Sequence, residues 1–227
     1  MKNINKILII ILVFLIASFL YSHFKNNSIK PPNSQNNNQP EQNVSSGRDP
    51  VLMQETAAPQ KDFVFPIDRA EERVTKKPFG IFITKQNSPV QPERFSGYHT
   101  GTDFETFPEE QNSDVSISAI TNGKVIEKRW ISGYGGVLIE SAVYDNSSIT
   151  IVYGHLNLSS INKKTGDSLS TGEKIGILGR GYSQETDGER KHLHLGIHKG
   201  SAVDVRGYVN NKVQLRDWFD SKSILNF

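Results

Sequence analysis

The sequence predicts a mainly β, antiparallel domain built from β-hairpins, with few short helices. Three observations carry this. Apolar runs of strand length recur at roughly 8–15-residue spacing with Gly, Asn and Asp turns between them. Helical periodicity is scarce before Arg216-Asp217-Trp218-Phe219, and no strand–helix alternation appears, which excludes the parallel sheets of nucleotide-binding folds. Finally, Lys191-His192-Leu193-His194-Leu195-Gly196-Ile197-His198 alternates like a half-buried strand and gathers three of the six histidines.

In chain order, Lys2 and Lys6 precede an unbroken apolar-to-small run from Ile7 to Tyr21, extended by Ser22, His23 and Phe24. Residues 1–25 therefore read as a signal peptide or signal anchor. A helix of this length spans roughly 22–27 Å against a hydrocarbon core of about 30 Å, so length alone does not decide cleavage. Ala17-Ser18-Phe19-Leu20-Tyr21-Ser22 offers no clean pair of small residues for a signal peptidase, which favours an uncleaved anchor on the cytoplasmic membrane. The leading lysines put everything after residue 25 outside the cytoplasm. Residues 26–60 are rich in Asn, Gln, Pro and Ser and too poor in large apolar residues to repay ordering, so they read as a disordered linker of roughly 30–35 Å mean reach.

A folded domain is expected over residues 61–227, opening with Phe63-Val64-Phe65-Pro66 and Phe79-Gly80-Ile81-Phe82-Ile83. His99-Thr100-Gly101-Thr102-Asp103 follows; in an extended strand the His and Asp would lie about 13 Å apart, so Gly101 has to bend the chain if they share one ion. An acidic loop runs from Pro108 to Asp114. Val115 to Ile120 alternates, Asn122-Gly123 reads as a turn, and Lys124 to Trp130 as its hairpin partner. Gly136 to Ser141 and Ser148 to Tyr153 repeat the pattern around Asp145-Asn146. Lys164-Thr165-Gly166-Asp167 and Leu169 to Gly179 supply further turns and strands. Tyr153-Gly154-His155-Leu156 places His155 at a strand-to-loop transition, and Gly181 to Lys191 is a polar loop able to wall a cleft.

In a strand, His192 and His194 face the same way with backbones roughly 6–7 Å apart, close enough for one site. The absence of cysteine excludes thiolate zinc ligands, disulfides, a cysteine nucleophile and cysteine lipidation, so any metal rests on His and carboxylate. Of 26 Lys/Arg and 24 Asp/Glu, residues 1–60 hold five and three, which leaves 21 of each in 61–227. A balanced domain argues against nucleic-acid binding.

His99-x-x-x-Asp103, Tyr153-Gly154-His155-Leu156 and His192-Leu193-His194, in this order, resemble the motifs of the lysostaphin/LytM-type zinc metallopeptidases, endopeptidases of the bacterial cell wall, over roughly residues 75–200. The resemblance implies a barrel-sandwich-hybrid-like fold, one Zn2+ per chain on His99, Asp103 and His194, and His155 and His192 as catalytic histidines, with the division of labour between the two left open. It implies peptidoglycan as the substrate; partners in the envelope stay open. Two imidazoles and a carboxylate leave a tetrahedral zinc one open position, the arrangement of catalytic sites. Two departures stand out: Asp187-Gly188-Glu189-Arg190-Lys191 replaces the family's small Ser/Thr-Gly-Pro lead-in, and Leu195-Gly196 replaces Phe-Glu. These are expected to touch the cleft wall and strand packing rather than any ligand. His198, about 13 Å from His194 along the strand, reads as structural or surface. The competing readings are a catalytically silent wall-binding or regulatory module of the same fold, which keeping all five residues disfavours, and a lipoyl- or biotinyl-carrier-like barrel, which lacks its Met-Lys-Met turn.

Overall fold

The computed structural model describes residues 63–227; the readings made on residues 1–60, and the domain start at 61, lie outside the described residues. Twelve strands are described: β1 Phe82–Ile83, β2 Gly97–His99, β3 Gly101–Glu105, β4 Ser116–Ser118, β5 Gly123–Ile131, β6 Gly135–Tyr144, β7 Ser147–Leu156, β8 Ser168–Leu169, β9 Lys174–Ile177, β10 His192–Lys199, β11 Tyr208–Val209 and β12 Trp218–Phe219. Helical turns are confined to Ala70–Arg73, Lys212–Leu215, Ser221–Leu225 and three short 3-10 segments. Among the described residues, no helix is long and apolar enough to cross a membrane.

The main sheet runs β12-β10-β7-β6-β5-β8, and β3 also pairs with β10; β1-β2-β11 and β4-β9 form two smaller sheets, and every pairing is antiparallel. The sequence alternation explains the layering. Leu193, Leu195 and Ile197 of β10, Ile149, Ile151 and Tyr153 of β7, and Phe104 of β3 enter one core. By the two-residue period of a strand, His192, His194 and Asp103 face the other way. A smaller cluster of Tyr134, Val137, Ile139 and Val152 fills the opposite side of β6 and β7.

Asp145 and Asn146 turn the β6–β7 hairpin with φ of 47° and 56°, the paired left-handed geometry a tight hairpin demands. Asn122-Gly123, by contrast, does not close a hairpin. β4 pairs with β9, and β5 pairs with β6 and β8. Gly123 instead opens β5 because the Glu140 side chain occupies the space its Cβ would take, while Asn122 Oδ1 accepts from Thr171 N at 2.9 Å. The helical signal around 216–219 also resolves differently, since Trp218 and Phe219 pair as an edge strand with Ile197 and His198.

Glu140 carries a stability consequence. It is fully buried in β6, accepts one hydrogen bond from Tyr153 Oη at 2.7 Å, and has no partner at Oε1. Burial pushes its carboxyl up to about 7. A carboxyl raised in the folded state contributes stability that is full below the unfolded value of about 4.5 and is lost as pH rises through 7, on the order of 3 kcal/mol in total. Glu140→Gln is therefore expected to flatten the pH dependence of urea unfolding between pH 5 and 8 and to be the more stable form at pH 8. An unchanged pH dependence would refute this.

Candidate metal centre and its cleft

β3 and β10 are in register with Asp103 opposite His194 and Glu105 opposite His192, so the face turned away from the core collects two histidines and two carboxylates. His99 arrives from a different sheet. β2 ends at His99, β3 starts at Gly101, and the buried Thr100 between them is pinned by its N–H to Gly207 O at 3.0 Å and by its Oγ1 to Arg206 O at 2.5 Å. The bend that brings His99 to Asp103 thus falls at Thr100. Gly101 serves another purpose: a Cβ there would lie 2.5 Å from His194 Nε2, so its bare backbone makes room for the imidazole.

Three potential ligand atoms converge. His99 Nε2 and His194 Nδ1 are 3.1 Å apart, and Asp103 Oδ1 lies 3.3 Å from the first and 3.1 Å from the second. All three residues are buried, and they form a group able to hold a metal ion. A tetrahedral ion with ligands at about 2.0–2.1 Å has ligand–ligand edges of roughly 3.3–3.4 Å, close to this triangle.

The outer nitrogens decide what the inner ones present. His99 Nδ1 lies 3.3 Å from the Pro78 carbonyl, which can only accept, so that nitrogen carries the proton and Nε2 offers a lone pair. His194 Nε2 lies 3.3 Å from Tyr134 Oη, which can accept its proton and leave Nδ1 bare. Burial pushes His194 down to about 4, favouring its neutral form. Burial alone would raise Asp103, but His99, His192 and His194 outweigh it and hold the carboxyl well below its usual range. Two imidazole lone pairs and a carboxylate oxygen thus face one point, a donor set that fits a divalent cation.

The other two histidines stand beside this group. His192 Nδ1 donates to Arg190 O at 2.9 Å, which directs Nε2 inward, 3.3 Å from Asp103 Oδ2. His155 reaches the site through a bulge. Gly136 pairs with Leu156 and Val137 with Gly154, leaving His155 between them at φ 62°. That extra residue breaks the strand's parity and turns a side chain that simple alternation would send to the core onto the histidine face. Its ring lies 4.2 Å from that of His192, and its buried Nδ1 has no hydrogen-bond partner. Burial, with His192 beside it, pushes His155 well below the ordinary histidine value. β7 therefore continues past His155 to Leu156, where a strand-to-loop change was expected.

All five residues line one cleft of about 370 Å³, with Tyr134, Tyr208 and Arg190 among the other walls. His198 is not part of this cleft lining; it packs on Trp218 at 4.9 Å, with Asp204 3.8 Å away. The loop before β10 walls the cleft as expected, anchored by Gly133 N to Asp187 Oδ2 at 2.6 Å. Its end does more. Arg190 is buried and donates to Asp103 Oδ2 at 2.8 Å, so the altered lead-in does touch a candidate ligand, contrary to expectation. Gly196 fits its neighbours closely, since a Cβ there would meet Trp218 at 3.2 Å.

Residues 97–205 match the family described as Peptidase family M23. Endolysin 2638A of Staphylococcus phage 2638A is 31% identical over 127 residues, 56% of this chain, and the match spans 24% of the endolysin's own length. Among solved structures, that of LytU shares 25% identity over 67% of this chain and 86% of its own, with a TM-score of 0.44. A zinc-containing peptidase from Vibrio cholerae shares 24% identity over 64% of this chain and 41% of its own, with a TM-score of 0.41.

Proposed function

We propose, from the premise that residues 97–205 form a peptidase family M23 domain of the lysostaphin/LytM type, that the chain is a zinc-dependent endopeptidase that hydrolyses peptide bonds of bacterial peptidoglycan during wall remodelling. The observation that carries this reading is the convergence of His99 Nε2, His194 Nδ1 and Asp103 Oδ1 within 3.3 Å of one another, all three buried at the floor of one cleft. These three residues would hold one zinc ion, which supplies Lewis acidity, polarising a scissile carbonyl and lowering the pKa of a water to about 7.

The protein's own groups do the rest. His192, its Nδ1 proton fixed on the Arg190 carbonyl, offers Nε2 as the acceptor for a water's proton on the Asp103 side of the cleft. His155, neutral and with Nδ1 unpartnered, is free to hydrogen-bond the substrate, and it would serve the leaving amine only as a relay that first takes up the proton it passes on. Tyr134 keeps the His194 ring oriented, and the Pro78 carbonyl does the same for His99. In this reading residues 1–25 export or anchor the chain, residues 26–60 form the tether, and residues 61–227 act outside the cytoplasmic membrane.

Elemental analysis of the full chain is expected to find one zinc per molecule. Stripping it with a chelator should abolish release of muropeptides from purified peptidoglycan, and added Zn2+ should restore it. Release that persists undiminished in the stripped protein would contradict zinc dependence.

A further inference from the structure

Arg190 lies in the stretch that replaces the family's small lead-in, and it is unlike such exposed arginines among the described residues as Arg69 and Arg129. It is 6% exposed. Strand parity sets it on the face of His192 and His194, while Lys191 turns to the other side and donates through Nζ to Glu110 O at 2.9 Å. The guanidinium lies between two buried carboxylates of β3. Nη2 donates to Asp103 Oδ2 at 2.8 Å, and Nε donates to Glu105 Oε2 at 2.9 Å, with Nη2 also on Glu105 Oε1. The Arg190 carbonyl meanwhile accepts from His192 Nδ1.

We propose that Arg190 is the positioning residue of the metal-ligating carboxylate: it occupies Oδ2 of Asp103, so that Oδ1 alone is presented to His99 and His194. A carboxylate left free can ligate through one oxygen or both, and the second oxygen would compete for the open position that a catalytic site needs. A guanidinium serves this purpose well. It has donors only, stays charged, and its planar fork spans both carboxylates at once. Glu105 fixes the fork from behind, and Lys76 Nζ, 3.4 Å from Glu105 Oε2, adds charge from the exposed side. One residue thereby orients Asp103 with its side chain and His192 with its backbone.

This assignment rests on the zinc reading above, and the test separates the two. The full chain is titrated with Zn2+ against a chromogenic chelator, and with Co2+ as a spectroscopic substitute, as wild type, Arg190→Gln, Arg190→Lys and Glu105→Gln. Arg190→Gln is expected to lose about 10–100-fold in zinc affinity. Its cobalt visible band should weaken, as in a site that gains a fifth ligand atom. Arg190→Lys keeps the charge without the fork and should recover part of both. Glu105→Gln, whose amide oxygen still accepts from Arg190, should stay near wild type. Wild-type affinity and band in Arg190→Gln would overturn the proposal. So would an equal loss in Glu105→Gln, which would assign the effect to the ion-pair cluster rather than to Asp103. If Arg190→Gln fails to fold, an unchanged affinity and band in Arg190→Lys overturn it instead. Failure of the wild-type chain to bind Zn2+ would overturn the zinc reading and this assignment together.

Discussion

Alanine at His99, Asp103 or His194 is expected to remove zinc from the chain and reduce peptidoglycan cleavage to background while the domain stays folded. Each of the three supplies one corner of the same triangle, with edges of 3.1–3.3 Å. Losing one of three ligands costs on the order of 3–5 kcal/mol, or ~10²–10⁴-fold in affinity. Folding should tolerate the change. None of the three side chains belongs to the hydrophobic core. Asp103→Ala leaves Arg190 paired with Glu105 rather than stranded. Zinc content and thermal unfolding of the three variants check both halves of this statement; a variant that keeps one zinc per chain would remove its residue from the ligand set.

His155→Ala and His192→Ala are expected to do the reverse, keeping zinc while the rate falls about 10²–10⁴-fold, the range for loss of a proton-transfer group. The geometry separates the two classes. His192 reaches the Asp103 oxygen that Arg190 also holds, not the one facing His99 and His194, and His155 stands behind it with ring centroids 4.2 Å apart. Neither belongs to the three-atom cluster. Metal analysis alongside muropeptide release checks this partition, and equal zinc loss in all five variants would overturn it.

Much of this arrangement was legible in the sequence. Alternation in Lys191 to His198 is sufficient to set Leu193 and Leu195 against His192 and His194, and β10 follows it. The Asp145-Asn146 hairpin follows from residues that accept positive φ. The pairing partners were less legible, because Asn122-Gly123 looks like a turn from local residues alone, whereas the Glu140 side chain and Thr171, far along the chain, decide its use. The same holds for the bend before Asp103. Gly101 is the flexible residue, but tertiary hydrogen bonds donated by Thr100 to the Arg206 and Gly207 carbonyls fix the bend, and the glycine is needed for space.

His155 and Arg190 show two different limits. A one-residue bulge turns His155, and a bulge is set by the register of β6 against β7, which no local pattern announces. Arg190 carried a usable signal. It lies two residues before His192, so parity alone puts it on the site face, yet its polar loop reads as a cleft wall that touches no ligand. Tyr134 and Tyr208 reach the cleft from segments without any motif, Tyr208 from beyond the matched stretch.

The most direct test of the zinc endopeptidase reading is mass spectrometry of the soluble fragments released from purified peptidoglycan by the zinc-loaded full chain, with Asp103→Ala alongside. The expected result is a set of fragments with new amino termini within the peptides and intact glycan, absent with the variant. A chain that holds one zinc yet yields no new amino terminus would contradict the account and leave a wall-binding module of the same fold.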